Sequence, residues 1–530
     1  MSDMFVDMIC NSPKNSLNRF NDKEREELRK VISLLIKDFV RKFSSDCNDT
    51  NEFYNITEVK ELYEQYLQIR GFLDEFTKQI HKIDSLKTKY FFHDSAVSLR
   101  EFGKALECDR ETKGLDNENV FLIAEFINKL IKGIRKIEYH GRIVIDSVKN
   151  SLELSFFQAR YSAFYCIATN QLADERYDYK VGKSHCNRDH IIELDNMEFK
   201  GGDVLKGDFS APDIENCIQK SDYHLFYTND FNKYKERLTT KNKDELNLDL
   251  QLIKFLALLF QPGIVTPTAI ERNMQIAFNA KANSGCISRQ VGAVITDKNH
   301  SVKTIGWNDV AAGQMPCNLR NVFDLVDGKN EIQYSPFEKG QISLHTYDDK
   351  INFKEKVATQ IGSVDKIKLN GKNCSFCFKT FHNVFEGKAN QVHTRSLHAE
   401  ENAMLQLTKY GGQGVENGTL YTTASPCELC SKKAFQLGIN KIIYIDPYPG
   451  IATNHILKSG KKDDLNPKLI MFQGAVGRTY HKLYESFIAY KDELNILVNL
   501  HPKMNKERII NKLTSDKNKQ DAIKDILGNF

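Results

Sequence analysis

Four residues in the second half of the chain have the types and spacing of a catalytic zinc site. His398 and Glu400 are two residues apart in RSLHAEENA, and Cys427 and Cys430 are three apart in TTASPCELC. One imidazole and two thiolates can hold zinc with its fourth position open, and zinc lowers the pKa of water there to about 7. A neighbouring carboxylate can then move protons. The pattern predicts His398, Cys427 and Cys430 as metal ligands and Glu400 as the catalytic acid and base.

The surrounding elements predict how the four side chains meet. A helical pattern begins at Ala399, Pro426 marks the start of a second helix, and GTLYTTA between them predicts a strand. In the second helix the two cysteines lie at i and i+3, on one face of a first turn whose dipole favours thiolates. The two helix starts can therefore meet at one metal.

The same residues match the His-x-Glu and Pro-Cys-x-x-Cys signature of zinc-dependent nucleobase deaminases. Two alternatives stay open: a structural zinc knot, and a Cys-x-x-Cys redox pair with an unrelated histidine. A structural site would want a fourth protein ligand and would not require Glu400 beside the histidine. The pattern therefore favours hydrolytic deamination of an aminopyrimidine.

Upstream, CISRQVGAVITDKNHSVKTIGWNDV resembles the entry region of deoxycytidylate deaminases, where an Arg-Gln-Val-Gly-Ala-Val strand precedes a Gly-aromatic-Asn turn. The resemblance covers about residues 268–448. It implies substrate contacts from Arg289, Asn308, Ala399, Ser425 and Tyr444. In that family the asparagine binds the sugar, the basic residue contacts phosphate, and the carbonyl of the serine accepts a hydrogen bond from the exocyclic amine. The alternatives are a tight-turn role for Asn308, a solvated surface charge at Arg289 and simple packing by Tyr444.

An insertion over about residues 313–390 departs from a minimal deoxycytidylate deaminase. It contains NCSFCFKTF, and further histidines follow. Some deoxycytidylate deaminases carry a second, structural zinc, so the resemblance implies a candidate second site. Its candidate ligands are Cys317, Cys374, Cys377 and His393. The alternative is a reduced Cys-x-x-Cys pair without metal on a loop.

The first half of the chain is not needed for this chemistry. Helical stretches alternate there with short β-branched runs, RIVIDSV, FYCIAT and YHLFYTN, a rhythm typical of a parallel α/β sheet. With HDSAVSLREFGKAL and IENCIQKSD, these segments resemble the later elements of a P-loop nucleotide-kinase-like domain. However, no GxxxxGK[ST] occurs, and NSPKNSLNRF lacks glycines that would wrap a phosphate. We therefore expect a degenerate domain with a regulatory or structural role.

The combination of the two halves resembles the bacterial anti-phage dCTP deaminase family. That resemblance implies deamination of dCTP and dCMP to dUTP and dUMP, which depletes the dCTP pool during phage infection. It also implies a homo-oligomer and inhibition that is relieved when host transcription stops, with a small RNA as a candidate regulator. A housekeeping dCMP deaminase, an RNA or polynucleotide cytidine deaminase and a non-catalytic zinc module are the alternatives.

Length and composition set the remaining expectations. A chain of 530 residues predicts two or three domains, and its net charge of +4 makes no case for a dedicated nucleic-acid or membrane surface. No apolar run approaches the ~20 residues of a membrane span, and the twelve cysteines are spread thinly, so we expect a cytoplasmic protein. The expected fold is α/β. It comprises a kinase-like parallel sheet with added helices in 1–245, a cytidine-deaminase-like α/β/α sandwich in 250–500, and a helical tail in 501–530.

Overall fold

The computed structural model describes residues 23, 67, 71, 74, 78, 85–102, 119–137, 141–184, 187–199, 209–228, 246–342, 347, 350–388, 390–411, 414–446, 452–458, 466–500 and 506–528. The segment 11–20, where the phosphate-loop glycines are lacking, lies outside these residues. Two compact units divide the chain, one of Met1–Ile253 with Pro267–Tyr480 and one of Lys254–Thr266 with His481–Phe530.

Helices account for most of the regular structure. They are α1 (Ser85–Phe102), α2 (Leu122–Ile137), α3 (Ser151–Arg160), α4 (Ala173–Ser184), α5 (Arg188–Phe199), α6 (Ile214–Lys220), α7 (Leu248–Phe260), α8 (Ala269–Ala280), α9 (Val322–Asp327), α10 (Phe353–Ile361), α11 (Phe378–Glu386), α12 (Ala399–Tyr410), α13 (Glu428–Gln436), α14 (Arg478–Tyr484), α15 (Tyr490–Val498), α16 (Lys506–Leu513) and α17 (Lys517–Gly528). Short 3-10 turns cover Lys281–Asn283, Cys317–Leu319, Glu331–Gln333 and Lys366–Leu369, and a π turn covers Ala452–Ile456.

The strands form three sheets. They are β1 (Ile167–Gln171), β2 (Tyr223–Tyr227), β3 (Gly292–Thr296), β4 (Val302–Trp307), β5 (Asp309–Val310), β6 (Ser396–Leu397), β7 (Thr419–Ala424), β8 (Lys441–Asp446), β9 (Lys468–Met471) and β10 (Gly474–Ala475). The largest sheet has the order β4-β3-β7-β8-β9. In it β3 is antiparallel to both β4 and β7, whereas β7, β8 and β9 run parallel.

Helices cover both faces of this five-stranded sheet. Successive side chains of a strand point to opposite faces, so Ala293 and Ile295 pack against α12 while Val294 packs against α8. All five residues of β3 are buried, as expected for a central strand covered on both sides. The result is an α/β/α arrangement, which confirms the mixed α/β class predicted from the sequence.

A smaller sheet joins the two halves of the chain. Strands β1 and β2 pair in parallel, with Ile167 opposite Tyr223, and β10 adds to β2 in antiparallel fashion. The prediction of a strand at RIVIDSV is wrong, because residues 141–150 form no regular element. Val144 there is 91% exposed, and the described residues offer this run no strand as a partner. A kinase-like sheet in the first half stays a prediction.

The insertion has a small apolar core of its own. Helices α9, α10 and α11 contribute side chains to one cluster that includes Val322, Phe353 and Phe376. Strand β5 pairs with β6, so the chain returns from the insertion directly into the segment that ends at His398. The insertion is therefore anchored next to the predicted metal ligands.

Helices α15, α16 and α17 belong to the second compact unit. Among the described residues, no helix of the protein is long and apolar enough to cross a membrane.

Candidate active site

Three of the four motif residues converge on one point. His398 is the N-cap of α12, Cys427 is the N-cap of α13, and Cys430 lies in the first turn of α13. The Nδ1 atom of His398 is 3.3 Å from Cys427 Sγ and 3.6 Å from Cys430 Sγ. Nitrogen and sulfur ligands of a tetrahedral zinc ion lie about 3.6 Å apart, given the usual bond lengths. The donor types and their spacing therefore fit zinc.

The electrostatics of this cluster favour a thiolate. Hydrogen bonds from the Cys430 thiol and from His398 lower the pKa of Cys427 to about 4. The hydrogen bond to Cys427 in turn raises the pKa of His398, while the bond to Cys427 and burial raise the pKa of Cys430. A divalent cation between them would favour both thiolates and the neutral imidazole.

Glu400 lies in the first turn of α12 and is almost completely buried. Burial raises the pKa of its carboxyl. The Thr422 hydroxyl lies 3.0 Å from Glu400 Oε1 and 2.7 Å from the carbonyl oxygen of Ala424, so its single proton serves one of these two acceptors. Glu400 is thus a carboxyl with little contact with solvent and with the Thr422 hydroxyl as a hydrogen-bonding neighbour.

A pocket opens at these helix starts. Its walls include His398, Glu400 and Cys427. Four of the five predicted substrate-binding residues line it as well: Arg289, Asn308, Ala399 and Ser425. Tyr444 is buried on β8 and is not among the described residues that line the pocket. Burial raises the pKa of its hydroxyl to about 12. Its part in substrate binding, like that of the other four, stays a prediction.

Asn308 holds the entry to β3 in place. Its Oδ1 accepts a hydrogen bond from the backbone N–H of Val291 at 2.7 Å, and its Nδ2 donates to the carbonyl oxygen of Arg289 at 2.5 Å. Ser284 Oγ donates to its carbonyl oxygen at 2.7 Å. The side-chain amide of Asn308 therefore stabilises the backbone beside the pocket, and Asn308 also lines the pocket.

Arg289 is held by two carboxylates. Its Nη2 contacts Asp446 at the end of β8 and lies 3.2 Å from Glu215 Oε1 on α6. Burial raises the pKa of Asp446 to about 7, opposed by Arg289 and reinforced by the charge of Glu215. Gln219 Nε2 donates to Asp446 Oδ2 at 2.8 Å. The guanidinium is thus part of an ion cluster, not a solvated surface charge.

The predicted ligands of a second metal do not form one group. Among the described residues, two sets of three ligands have their donor atoms within 4.8 Å of one another, namely His398 with Cys427 and Cys430, and His382 with Glu386 and His393. Cys317 and Cys377 border the pocket, and Cys374 packs against the core of the insertion. The structure therefore brings His393 to His382 and Glu386, and the four-residue set Cys317, Cys374, Cys377 and His393 stays a prediction.

Sequence reasoning missed several residues of the site. Asp446 ends a parallel strand next to the motif, a position whose carboxylate could have been noticed because such strand ends border sites. Thr422 lies on the strand GTLYTTA, where nothing distinguishes it from its neighbours. Glu215 and Gln219 carry no local signal, because they reach the site only through the fold of the first half.

Comparison with known proteins agrees with this geometry. Residues 267–446 match the family model described as the cytidine and deoxycytidylate deaminase zinc-binding region. The C-terminal part of the chain contains a cytidine/deoxycytidylate deaminase zinc-binding domain. We call residues 267–446 the deaminase domain. The match implies Zn2+, and it covers about a third of the chain.

Relatives align with the same part of the chain. The deoxycytidylate deaminase of Enterobacteria phage T4 is 29% identical over 175 residues, which cover 33% of this chain and 76% of that protein. ComE operon protein 2 of Bacillus subtilis is 39% identical over 54 residues, which cover 10% of this chain and 28% of that protein. Among solved structures, the apo dCMP deaminase from cyanophage S-TIM5 aligns over 39% of this chain and 100% of its own, with 20% identity and a TM-score of 0.22.

Proposed function

We propose that the protein deaminates deoxycytidine nucleotides, converting dCMP and dCTP to dUMP and dUTP by adding water and releasing ammonia. The observation that carries this proposal is that Glu400, His398 and Cys427 border one pocket with residues suited to a nucleotide. Phage proteins named deoxycytidylate deaminase are similar to the deaminase domain, which supports the substrate class.

The residues of the pocket have distinct roles in the proposed reaction. His398, Cys427 and Cys430 would hold zinc, which acts as a Lewis acid that makes water nucleophilic at neutral pH. Glu400 takes a proton from the attacking water and delivers protons to the ring nitrogen and the leaving amine. The backbone carbonyl of Ser425 accepts a hydrogen bond from the exocyclic amine of the cytosine, and Ala399 borders the cytosine ring.

Two more residues recognise the rest of the nucleotide. Asn308 faces the sugar, and Arg289 offers the positive charge for the phosphate end. A deoxynucleotide therefore fits the proposal better than a free base or a polynucleotide does. We assign the wider role to phage defence, by depletion of dCTP, and we assign the first half of the chain a regulatory or structural part in it.

Ammonia release from a panel of compounds tests the activity. The panel contains dCMP, dCTP, CMP, CTP, deoxycytidine and a cytosine-containing oligonucleotide. We expect release from dCMP and dCTP. Turnover of dCMP with dCTP left intact would instead indicate a housekeeping deaminase, and turnover of the oligonucleotide alone would indicate a polynucleotide deaminase.

A second zinc is part of the proposal, with His393 as one ligand. His382 Nε2 is 3.5 Å from Glu386 Oε1, and His393 Nε2 is 3.9 Å from Glu386 Oε2. These separations exceed hydrogen-bond lengths but are near the about 3.4 Å between nitrogen and oxygen ligands of tetrahedral zinc. The Tyr347 hydroxyl is hydrogen-bonded to His382 Nδ1 at 2.8 Å, which leaves Nε2 of the same ring to bind a metal. We therefore favour His382 and Glu386 over the cysteines as partners of His393.

Cobalt substitution tests the second metal. A variant with Cys427→Ser and Cys430→Ser lacks the thiolates of the first site. After loading with Co2+ it should retain one metal per chain, with visible bands but without the near-ultraviolet band of a cobalt–thiolate bond. Adding His393→Ala should remove that metal. A near-ultraviolet thiolate band would point to Cys317, Cys374 and Cys377 instead, and a single zinc in the wild-type protein would refute a second site.

A further inference from the structure

The first half of the chain contacts a residue that lines the pocket. Glu215 Oε1 lies 3.2 Å from Arg289 Nη2, and Arg289 borders the pocket that contains Glu400. The same guanidinium contacts Asp446, whose side chain is completely buried. Arg289 therefore shares its charge between one carboxylate of the deaminase domain and one of the first half.

Helix α6 brings two side chains to this cluster. Glu215 and Gln219 are four residues apart and thus lie on one face of the helix. Glu215 contacts the guanidinium, and Gln219 donates a hydrogen bond to Asp446 Oδ2 at 2.8 Å. Both partners of the Arg289–Asp446 pair are therefore contacted by α6.

The position of α6 is fixed by the strand that comes next in the chain. Strand β2 begins three residues after the helix and pairs with β10, which belongs to the C-terminal part of the chain. Between helix and strand, Asp222 accepts a hydrogen bond from the Thr479 hydroxyl at 2.7 Å. Glu215 and Arg289 therefore belong to one compact unit, in which the pairing of β2 with β10 fixes the position of α6.

The charges around Arg289 oppose an anionic ligand. With Asp446 and Glu215 both ionised, these two carboxylates and the guanidinium of Arg289 together carry one net negative charge, so a phosphate that contacts Arg289 also comes close to negative charge. Without the charge of Glu215 the remaining Arg289–Asp446 pair would be neutral, and the guanidinium would attract a phosphate more strongly. Asp446 is interior, whereas Glu215 is partly exposed, so Glu215 is the carboxylate of the pair whose charge can be removed without leaving a buried polar group unpaired.

We propose that Glu215 is a specificity-determining residue, supplied by the first half of the chain, that weakens the binding of the substrate's phosphate end by Arg289. Gln219 is a positioning residue, because it holds Asp446 against Arg289. This inference rests on the proposed function for its substrate and gives the first half a direct influence on the deaminase site.

The kinetic test compares substrates with and without phosphate. In the full-length protein, Glu215→Gln should lower KM several-fold for dCMP and dCTP and change KM for deoxycytidine much less. The matched control is Glu193→Gln, which removes the same charge from an exposed position on α5 in the same half. The gain should shrink at high salt, since the interaction is between charges. Equal changes in KM for nucleotide and nucleoside would mean a merely structural role and would overturn the inference.

A binding test separates this inference from the proposed function. Calorimetry with inorganic pyrophosphate needs no turnover. Glu215→Gln should bind pyrophosphate more tightly than wild type, and Arg289→Ala should abolish binding. That result in a protein without deaminase activity would refute the proposed function and leave the inference intact. Indistinguishable pyrophosphate affinities for wild type and Glu215→Gln would refute the inference, whatever the activity.

Discussion

Glu400 can hold its carboxyl in either protonation state without losing its neighbour. The Thr422 hydroxyl is nearer to the Ala424 carbonyl, at 2.7 Å, than to Glu400, at 3.0 Å. When the hydroxyl donates to Ala424, a protonated Glu400 can donate to Thr422. When Glu400 is ionised, the hydroxyl can rotate and donate to the carboxylate instead. A group that gives and regains protons within one reaction needs this reversibility.

Replacing Glu400 with glutamine tests its role in proton transfer. Glu400→Gln keeps the size of the side chain and the contact with Thr422, but it cannot transfer a proton. We expect ammonia release from dCMP to fall by at least about a hundredfold, the usual contribution of general acid–base catalysis. Zinc content and thermal stability should stay at the wild-type level.

The neighbouring Glu401 provides a matched control. Glu401 follows Glu400 on α12 and pairs with Lys433 near the surface. Because a surface ion pair contributes at most about 1 kcal/mol, Glu401→Gln should leave activity close to wild type. Activity of Glu400→Gln equal to that of Glu401→Gln would rule out Glu400 as the proton-transfer residue.

Residue spacing predicts only the part of the site that is local in sequence. His398 and Glu400 lie on one helix start, and Cys427 and Cys430 on another, so their periodicity shows that each pair shares a face. Glu215 acts on Arg289 across the fold, and no spacing rule relates two residues that are 74 positions apart.

At the scale of elements, α12 lies unusually close to β4. A Cβ atom on Gly306 would lie 2.3 Å from the carbonyl oxygen of Ala399 and 2.4 Å from the backbone nitrogen of Ala403. Both contacts are with backbone atoms, so no side-chain rotation can relieve them. Because Ala399 precedes Glu400, the approach of helix to strand also sets the position of the carboxyl.

Gly306→Ala should therefore damage both stability and activity. Overpacking of this kind costs about 1–3 kcal/mol, and the helix must shift away from the strand together with Glu400. We expect a lower thermal midpoint and a lower kcat. Gly414→Ala is the control, because no described atom lies within 4 Å of that Cβ position. Equal thermal midpoints for the two variants would show that α12 tolerates the added methyl group.

Strands and helices of the deaminase domain are largely predictable, and in the small sheet FYCIAT and YHLFYTN predict β1 and β2, whereas β10 has no signal in the sequence. QVGAVITD, KTIGW, GTLYTTA and KIIYID predict β3, β4, β7 and β8 because each is an apolar, β-branched run bounded by turn residues. RIVIDSV has the same composition yet forms no strand, because a strand also needs a partner. Strand β10 has two residues, and it exists because β2 of the first half lies beside it.

At the scale of the whole molecule, the first half of the chain shares hydrogen bonds with Val476 and Thr479, which follow the deaminase domain in the sequence. Asp222 is buried, and its carboxylate accepts from the Thr479 hydroxyl at 2.7 Å and from the backbone N–H of Cys166 at 2.8 Å. Its carbonyl oxygen accepts from the N–H of Val476 at 3.3 Å. Loss of this carboxylate leaves donors without partners on both sides of the junction.

The single tryptophan allows the coupling of the two halves to be measured. Trp307 lies on β4 of the deaminase domain, so its fluorescence reports unfolding there. Asp222→Ala should lower the free energy of unfolding by about 2–3 kcal/mol, the cost of losing hydrogen bonds to a buried charge. If the halves unfold together, the denaturant midpoint measured by Trp307 shifts by that amount, although the substitution is in the other half. Asp174→Ala, at an exposed surface pair, should leave the midpoint nearly unchanged. The halves unfold independently if Asp222→Ala leaves the Trp307 midpoint unchanged while far-ultraviolet circular dichroism detects an earlier transition. The effect of Glu215 on Arg289 would then be separable from the stability of the deaminase domain.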